Sequence, residues 1–437
     1  MNGFLVVILI FIMAACGSGG GNSGGGGGSA DGEEDAYQTY GLNFSPYTGT
    51  GQDPNKGTVI SQSQIKSHLE TILAYTKWIR TFGSSLGMEH AAKIAHNMGL
   101  FTAIGAWLGS NAITNDEEVQ NLIAGAKDGY VDLAIIGSET LFRGDLTPAE
   151  LIVYIEWFRQ EVPDVPVTTA ETYDIWLKNL DLIDHVDVVL ANYYSYWEGI
   201  HIDDAIANVH NRHQQLVIKA GNKDVIVSET GWPSAGDSIG QAVPTPENAA
   251  DHFLNFISWA RAEGVDYFYF EAFDEPWKSD YEGPQGAHWG IWTKDSEMKD
   301  GMMGVFNGET IDDNWTGECT PGGSGIPEIE FTYVPPIGSF NNLEGQVRHA
   351  DTNLYGAAVY IYTGGWWTKP YWNDPLTEIA CNGYFICDIT TGGVDSTATR
   401  IAAFLIPVAY DPPLMSGGIN LPDELYDIAV DYIIVDR

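Results

Sequence analysis

Four glutamates close or sit within short apolar runs: Glu139 after Ile135-Ile136-Gly137-Ser138, Glu171 after Thr168-Thr169-Ala170, Glu229 after Val225-Ile226-Val227-Ser228, and Glu271 after Tyr269-Phe270. A carboxyl at the end of an apolar strand has lost water, which raises its pKa unless a partner compensates. Two such groups facing each other suit cleavage of a sugar acetal. One stays protonated to give its proton to the leaving oxygen, and the other is ionised and attacks the anomeric carbon. Spacing leaves the pairing open: Glu139 and Glu229 lie three runs apart, and so do Glu171 and Glu271. Each of the four is also a candidate for capping a helix or pairing with an arginine.

The elements that must carry these groups are eight apolar runs separated by amphipathic segments: 40–47, 78–83, 101–109, 133–140, 165–173, 186–194, 224–231 and 267–273. Near-continuous apolar strands alternating with helices mean parallel strands buried on both faces. Eight such units predict an α/β fold, the (β/α)8 or TIM barrel, with its site at the C-terminal strand ends. A doubly wound open sheet is the alternative, but no Gly-rich phosphate loop follows the first run. Arg80 lies within the second run and could hold a nearby carboxylate ionised, or serve as a structural ion pair. Asn192, Tyr193 and Tyr194 end the sixth. His288 follows the eighth and is at best a substrate contact. Trp107, Trp197, Trp232, Trp277 and Trp289 fall at or past run ends, where an indole can cover the C–H face of a sugar ring or fill the barrel top. Trp232 and Trp277 are the leading candidates.

Three motifs add a resemblance. Ile136-Gly-Ser-Glu-Thr-Leu141, Val227-Ser-Glu-Thr-Gly-Trp-Pro-Ser234 and Phe273-Asp-Glu-Pro-Trp-Lys278 fall in order on runs four, seven and eight. Over roughly residues 40–315 the chain resembles glycoside hydrolase family 17, which contains β-1,3-glucanases and glucan-remodelling enzymes. The resemblance implies a retaining enzyme with Glu139 as acid/base and Glu229 as nucleophile, their carboxyls ~5–5.5 Å apart. It also implies that Glu275 and Lys278 set the electrostatics around the nucleophile, with Lys278 near Glu229. The motif departs at Ser138, where many members carry the Asn credited with holding the sugar 2-hydroxyl.

The rest of the chain sets the context. With 20 Lys and Arg against 59 Asp and Glu, the net charge is −39, which disfavours nucleic acid, anionic lipid and acidic polysaccharide. A neutral glycan fits. Residues 1–15 read as a signal peptide, its apolar stretch Phe4–Met13 being short of the ~20 residues of a spanning helix. Ala14-Ala15-Cys16 followed by glycines and serines resembles a bacterial lipobox, so Cys16 is the expected lipid anchor and residues 16–36 a flexible tether. An ordinary secretory signal is the other reading. The barrel is expected over 37–316, a linker over 317–330, and a small all-β sandwich over 331–437.

That last region carries Tyr360, Tyr362, Trp366, Trp367, Tyr371 and Trp372, a candidate carbohydrate-binding face, with 364–370 read as an exposed loop. With Cys16 lipidated, Cys319, Cys381 and Cys387 remain. Cys381 and Cys387 flank a predicted Asn382-Gly383 turn that puts them on opposite faces, and the pairing is otherwise open. No Cys or His spacing suggests zinc, and no cofactor is expected. The reading is therefore a monomeric, envelope-anchored, endo-acting β-1,3-glucanase for laminarin-like glucan. A glucan transglycosylase is the first rival, and a surface glycan-binding protein that has lost catalysis is the second.

Overall fold

In the computed structural model, which describes residues 37–316 and 319–437, every predicted run of the first region forms a strand. The strands are β1 (Thr39–Asn43), β2 (Thr76–Arg80), β3 (Phe101–Ala106), β4 (Leu133–Ser138), β5 (Val167–Thr172), β6 (Val189–Asn192), β7 (Val225–Glu229) and β8 (Phe268–Tyr269). Each pairs in parallel with the next, β8 pairs with β1, and a Val227–Tyr267 bridge closes the ring. The predicted runs overshoot the strands. Their last residues, such as Phe44 and Tyr47 or Phe270 and Phe273, are buried in the loops of the barrel mouth. Cys16, the signal segment and the tether lie outside the described residues.

Helices α1 (Gln62–Ile72), α2 (Ala91–Asn97), α3 (Ala112–Lys127), α4 (Pro148–Glu161), α5 (Tyr173–Lys178), α6 (Ala205–Ala220) and α7 (Pro246–Glu263) follow strands one to seven in turn. Their ends are written locally. Thr147 and Glu150 form a capping box with Pro148 in the first turn of α4, and Thr245 caps α7, which Gly264 ends in the left-handed region. Alternation along the strands sorts the two sides of the ring. Leu42, Ile79, Ile104, Ile136, Val189 and Val227 pack with the helices, whereas Ala103, Leu133, Ile135, Leu190, Ile226 and Phe268 form a separate cluster within. Gly41 is required there, because a Cβ would lie 2.5 Å from the Phe268 ring. This inner packing leaves only the C-terminal mouth for polar chemistry.

The C-terminal region is a sandwich of two antiparallel sheets built from β9 (Glu328–Tyr333), β10 (Leu343–Arg348), β11 (Tyr355–Tyr362), β12 (Trp366–Lys369), β13 (Tyr384–Cys387), β14 (Arg400–Pro407), β15 (Ser416–Gly418) and β16 (Asp431–Asp436). The orders are β13-β10-β9 and β15-β12-β11-β14-β16. Leu343, Val347 and Phe385 of one sheet meet Val359, Ile361, Ile401 and Leu405 of the other. β9 begins inside the expected linker. The expected exposed loop at 364–370 is largely β12, because Trp366 packs with Tyr360, Phe404 and Leu425 under the helix Asp423–Ile428. Tyr360 and Trp366 are thus core residues. Trp367, Tyr371 and Trp372 are the exposed members of the aromatic set.

Cys319 is bonded to Cys381, and Cys387 is buried and free. The Asn382-Gly383 turn is one residue longer than expected, since Ala380 rather than Cys381 exchanges backbone bonds with Tyr384 and Gly383. The disulfide closes a span of 62 residues. Replacing both cysteines by serine is expected to lower the unfolding free energy by up to about 4 kcal/mol, through the lost restraint on the unfolded chain. Guanidinium unfolding of the two chains measures this, and coincident curves would show that the bond contributes nothing.

Candidate active site

Glu139 follows β4 in the left-handed region, at φ 53°, directly after Gly137 (φ 81°) and Ser138. A side chain in that region costs on the order of 1–3 kcal/mol and persists only where neighbours hold it. They do so here: the Glu139 N–H donates to the Ala170 carbonyl at 2.7 Å, and Arg143 donates to the Ser138 and Leu108 carbonyls while lying over Trp107. Glu171 accepts the next two free N–H groups, Leu141 at 2.8 Å and Phe142 at 3.2 Å. The second candidate pair therefore dissolves. Glu171 clamps the turn that carries Glu139, and Glu271 is buried against Lys278.

Glu139 Oε1 accepts from Asn192 Nδ2 at 2.8 Å, and Asn192 in turn accepts from Ser228 Oγ. Burial, then the charge of Glu229, pushes the Glu139 carboxyl up to about 7, against the opposing pull of Asn192, Arg143 and Arg80. Glu229 lies in a different setting. Its Oε1 accepts from Arg80 Nη1 at 2.7 Å and Ser138 Oγ at 3.4 Å, and its Oε2 from the Tyr194 hydroxyl at 2.8 Å. Arg80 is fully buried and also donates to Asn43 Oδ1 at 2.6 Å and Ser138 Oγ at 3.0 Å. One carboxyl is thus held toward its neutral form, while the other faces three donors, an arrangement that an ionised carboxylate takes up.

Removing Arg80 would leave Glu229 buried without its cation, a loss worth roughly 3–5 kcal/mol for such pairs. Arg80→Met is expected to unfold at correspondingly lower denaturant. Unchanged stability would mean that other donors suffice.

Lys278 departs from the expectation that it lies by Glu229. Its Nζ is 2.6 Å from Glu271 and 2.8 Å from Glu275. Glu275 also accepts from Ser45 Oγ at 2.5 Å and Trp277 Nε1 at 3.1 Å. Burial pushes both carboxyls up. At Glu275 the ammonium and the added donors outweigh it and hold the group below its usual range, whereas Glu271 stays well above. This trio lies beneath the Phe270 ring and supports the floor of the site.

A cavity of about 620 Å³ opens over Glu139, Asn192, Tyr194 and Glu229 and is walled by Phe142, Trp197, Glu198, Phe270, Glu282 and Trp289. Two expected contacts are buried away from this cavity. Tyr193 is stacked on Tyr173 in the core, and Trp232 packs on His252 with its N–H on the Val243 carbonyl. Trp277 and His288 are both partly exposed, the first donating to Glu275 and the second accepting from Ser234 and Lys299 at its backbone carbonyl. Tyr193 and Trp232 turn inward for one reason: a residue after a strand end faces the mouth or the helices according to loop geometry. Asn43 was missed, although it ends β1 as the glutamates end theirs. Glu198, Phe270 and Glu282 carried no signal. Among the described residues, no three His, Cys, Asp or Glu gather to hold a metal ion.

A closed parallel barrel presenting, from β4 and β7 at its C-terminal mouth, one carboxyl pushed up by burial and another ion-paired to an arginine defines a glycoside hydrolase. Residues 41–290 match the BtgE/BtgC glycoside hydrolase domain, and the chain belongs to that family, within glycoside hydrolase family 17. It is 30% identical over 282 residues to a glucan 1,3-beta-glucosidase of Candida albicans, covering 59% of this chain and 92% of that protein. Among solved structures it resembles the family 17 beta-1,3-glucanosyltransferase of Rhizomucor miehei, with a TM-score of 0.54, 29% identity, and 60% of this chain matching 96% of that one. An active-site mutant of that enzyme in complex with laminaritriose matches with a TM-score of 0.54, 28% identity and the same coverage.

Proposed function

We propose that this chain cleaves β-1,3-glucosidic bonds of a neutral, laminarin-like glucan with retention, as an endo-acting hydrolase. The observation that carries this is the opposite treatment of two carboxyls in one cavity, Glu139 held toward neutrality and Glu229 ion-paired. A Glu229 oxygen attacks the anomeric carbon while the bond to the leaving oxygen breaks, and Glu139 gives that oxygen its proton. The resulting glycosyl ester is then opened by water as Glu139 takes the water's proton and Glu229 leaves. The names of the Candida and Rhizomucor relatives supply the linkage.

The test is reducing-sugar release and product sizing on laminarin with residues 36–437, cellulose and a mixed-linkage glucan serving as controls. Proton NMR of the first-formed anomer reads retention. Short β-anomeric products support the reading, and inertness toward laminarin overturns it. Because the Rhizomucor relative is a glucanosyltransferase, the same acceptor position can take a sugar hydroxyl. Products longer than an oligosaccharide substrate would mark transfer.

The lipobox-like Ala14-Ala15-Cys16 and the glycine-rich tether support export with anchoring at Cys16. Palmitate labelling that survives Cys16→Ser would rule out that anchor.

The acid form of Glu139 is needed for the first step, so kcat/KM on laminarin should fall as pH rises through about 7. Asn192 lowers this pKa, so Asn192→Ala should move the alkaline limb to higher pH. A limb that stays in place would show that another group controls it.

A further inference from the structure

The cavity over Glu139 and Glu229 is completed by the C-terminal sandwich, whose Pro370, Asp374, Leu376, Thr377, Glu378 and Ile386 line it. These residues are seated firmly on the barrel. Lys178 of α5 bridges to Asp374 at 3.0 Å, and Arg212 of α6, itself buried, reaches Glu378 at 3.3 Å. The Tyr173 hydroxyl donates to the same Glu378 carboxylate. Nearby, Asn382 donates to Asp204 at 2.8 Å, Asn211 donates to Asn353 at 2.7 Å, and Ile200 packs with Ala380 and Tyr384. At Gly240 a Cβ would stand 2.3 Å from the Tyr384 hydroxyl. Such a contact is a fitted interface and not a tether.

The wall has a definite side. The sandwich rests on Tyr173 and Lys178, which follow β5, the neighbour of the β4 strand that leads to Glu139. Tyr194, which binds Glu229, packs instead on Phe270 and Trp289. The group that protonates the leaving oxygen lies beside the departing sugar, so the sandwich borders the space beyond the broken bond. The wall's chemistry suits a sugar: Pro370, Leu376 and Ile386 offer apolar faces to ring C–H groups, and Asp374 and Glu378, both nearly half exposed, offer acceptors to hydroxyls. Tyr371 and Trp372, both half exposed, lie between two of the lining residues. The Candida and Rhizomucor relatives are 92% and 96% matched by about three fifths of this chain, which leaves them no length for a counterpart.

We propose that the segment 370–378 with Ile386 is the leaving-group and acceptor wall of the active site, so that the C-terminal sandwich sets which glucan is held beyond the scissile bond. This rests on the glucanase reading and goes beyond it.

The test compares two substrates on the full chain. Laminarihexaose places sugars beyond the broken bond, and β-laminaribiosyl fluoride places none. For Glu378→Gln and Asp374→Asn, the ratio of kcat/KM on the hexaose to that on the fluoride is expected to fall by up to about tenfold, because the amide left in each variant accepts from a sugar hydroxyl without the charge that strengthens the bond. Thermal unfolding of each variant accompanies the kinetics, and Asp374→Asn decides the matter if Glu378→Gln loosens the interface. A ratio held within about twofold in both variants, whether the two activities stay or fall together, overturns the proposal. A wild-type chain that releases neither sugar nor fluoride overturns the glucanase reading and the wall with it.

Discussion

Glu229→Gln is expected to lower kcat on laminarin by on the order of 10⁴–10⁶, the range that accompanies loss of a covalent nucleophile. The replacement keeps the shape of the side chain and one oxygen for Arg80, while its amide NH2 can donate to the Tyr194 hydroxyl. The buried Arg80 loses its counter-charge, so the variant should unfold at lower denaturant and its fold is checked by circular dichroism before assay. What disappears is the oxygen nucleophile and hence the glycosyl ester. The defect must therefore extend to every substrate, however good its leaving group. β-Laminaribiosyl fluoride, which needs no acid to depart, should be as inert as laminarin. Reducing-sugar and fluoride-release assays on the purified variant measure both. Substantial fluoride release would remove Glu229 from the nucleophile's position, and Glu139 would be the next residue to examine.

Glu139→Gln should behave differently, and the difference identifies the roles. Loss of general acid–base help costs roughly 10²–10⁴ in rate, so laminarin turnover should fall by that much. The fluoride needs no proton to leave, so its first step should be largely spared, and the glycosyl ester should accumulate because the base for the second step is missing. A burst of fluoride followed by a slow steady state is the expected trace, and added azide, which attacks without a base, should restore turnover. Equal losses on both substrates would show that Glu139 holds the site together instead of moving a proton. The variant also bears on stability. Glu139 is strained at φ 53° and clamped by Ala170 and Arg143, contacts made by its backbone and that of Ser138, so little destabilisation is expected.

The strands of the barrel were written in the sequence because a strand buried on both faces must be apolar throughout, and eight such runs admit few arrangements. The positions of Glu139 and Glu229 were legible for a related reason. A charged group ending an apolar run marks the one place where the chain leaves the core. Asn192 and Tyr194 were visible by the same logic, standing at the end of their run, and Arg80 as the one charge inside the second.

Residue order could not say which carboxylates face each other. That was decided by the left-handed turn at Glu139, which turns Glu171 into a clamp, and by Lys278, which draws Glu271 and Glu275 together and leaves Glu229 to Arg80. Trp232 and Tyr193 turn inward because loops after strands have no fixed period, so only the folded chain shows which way they face. The C-terminal sandwich was legible as a module from its alternating strands. Its place against the mouth was not, because it depends on contacts such as Lys178–Asp374 and Arg212–Glu378, between residues 196 and 166 positions apart. Local periodicity determines which elements form, since it reflects burial along one segment. Assembly of the site depends on long-range packing, which no single segment encodes.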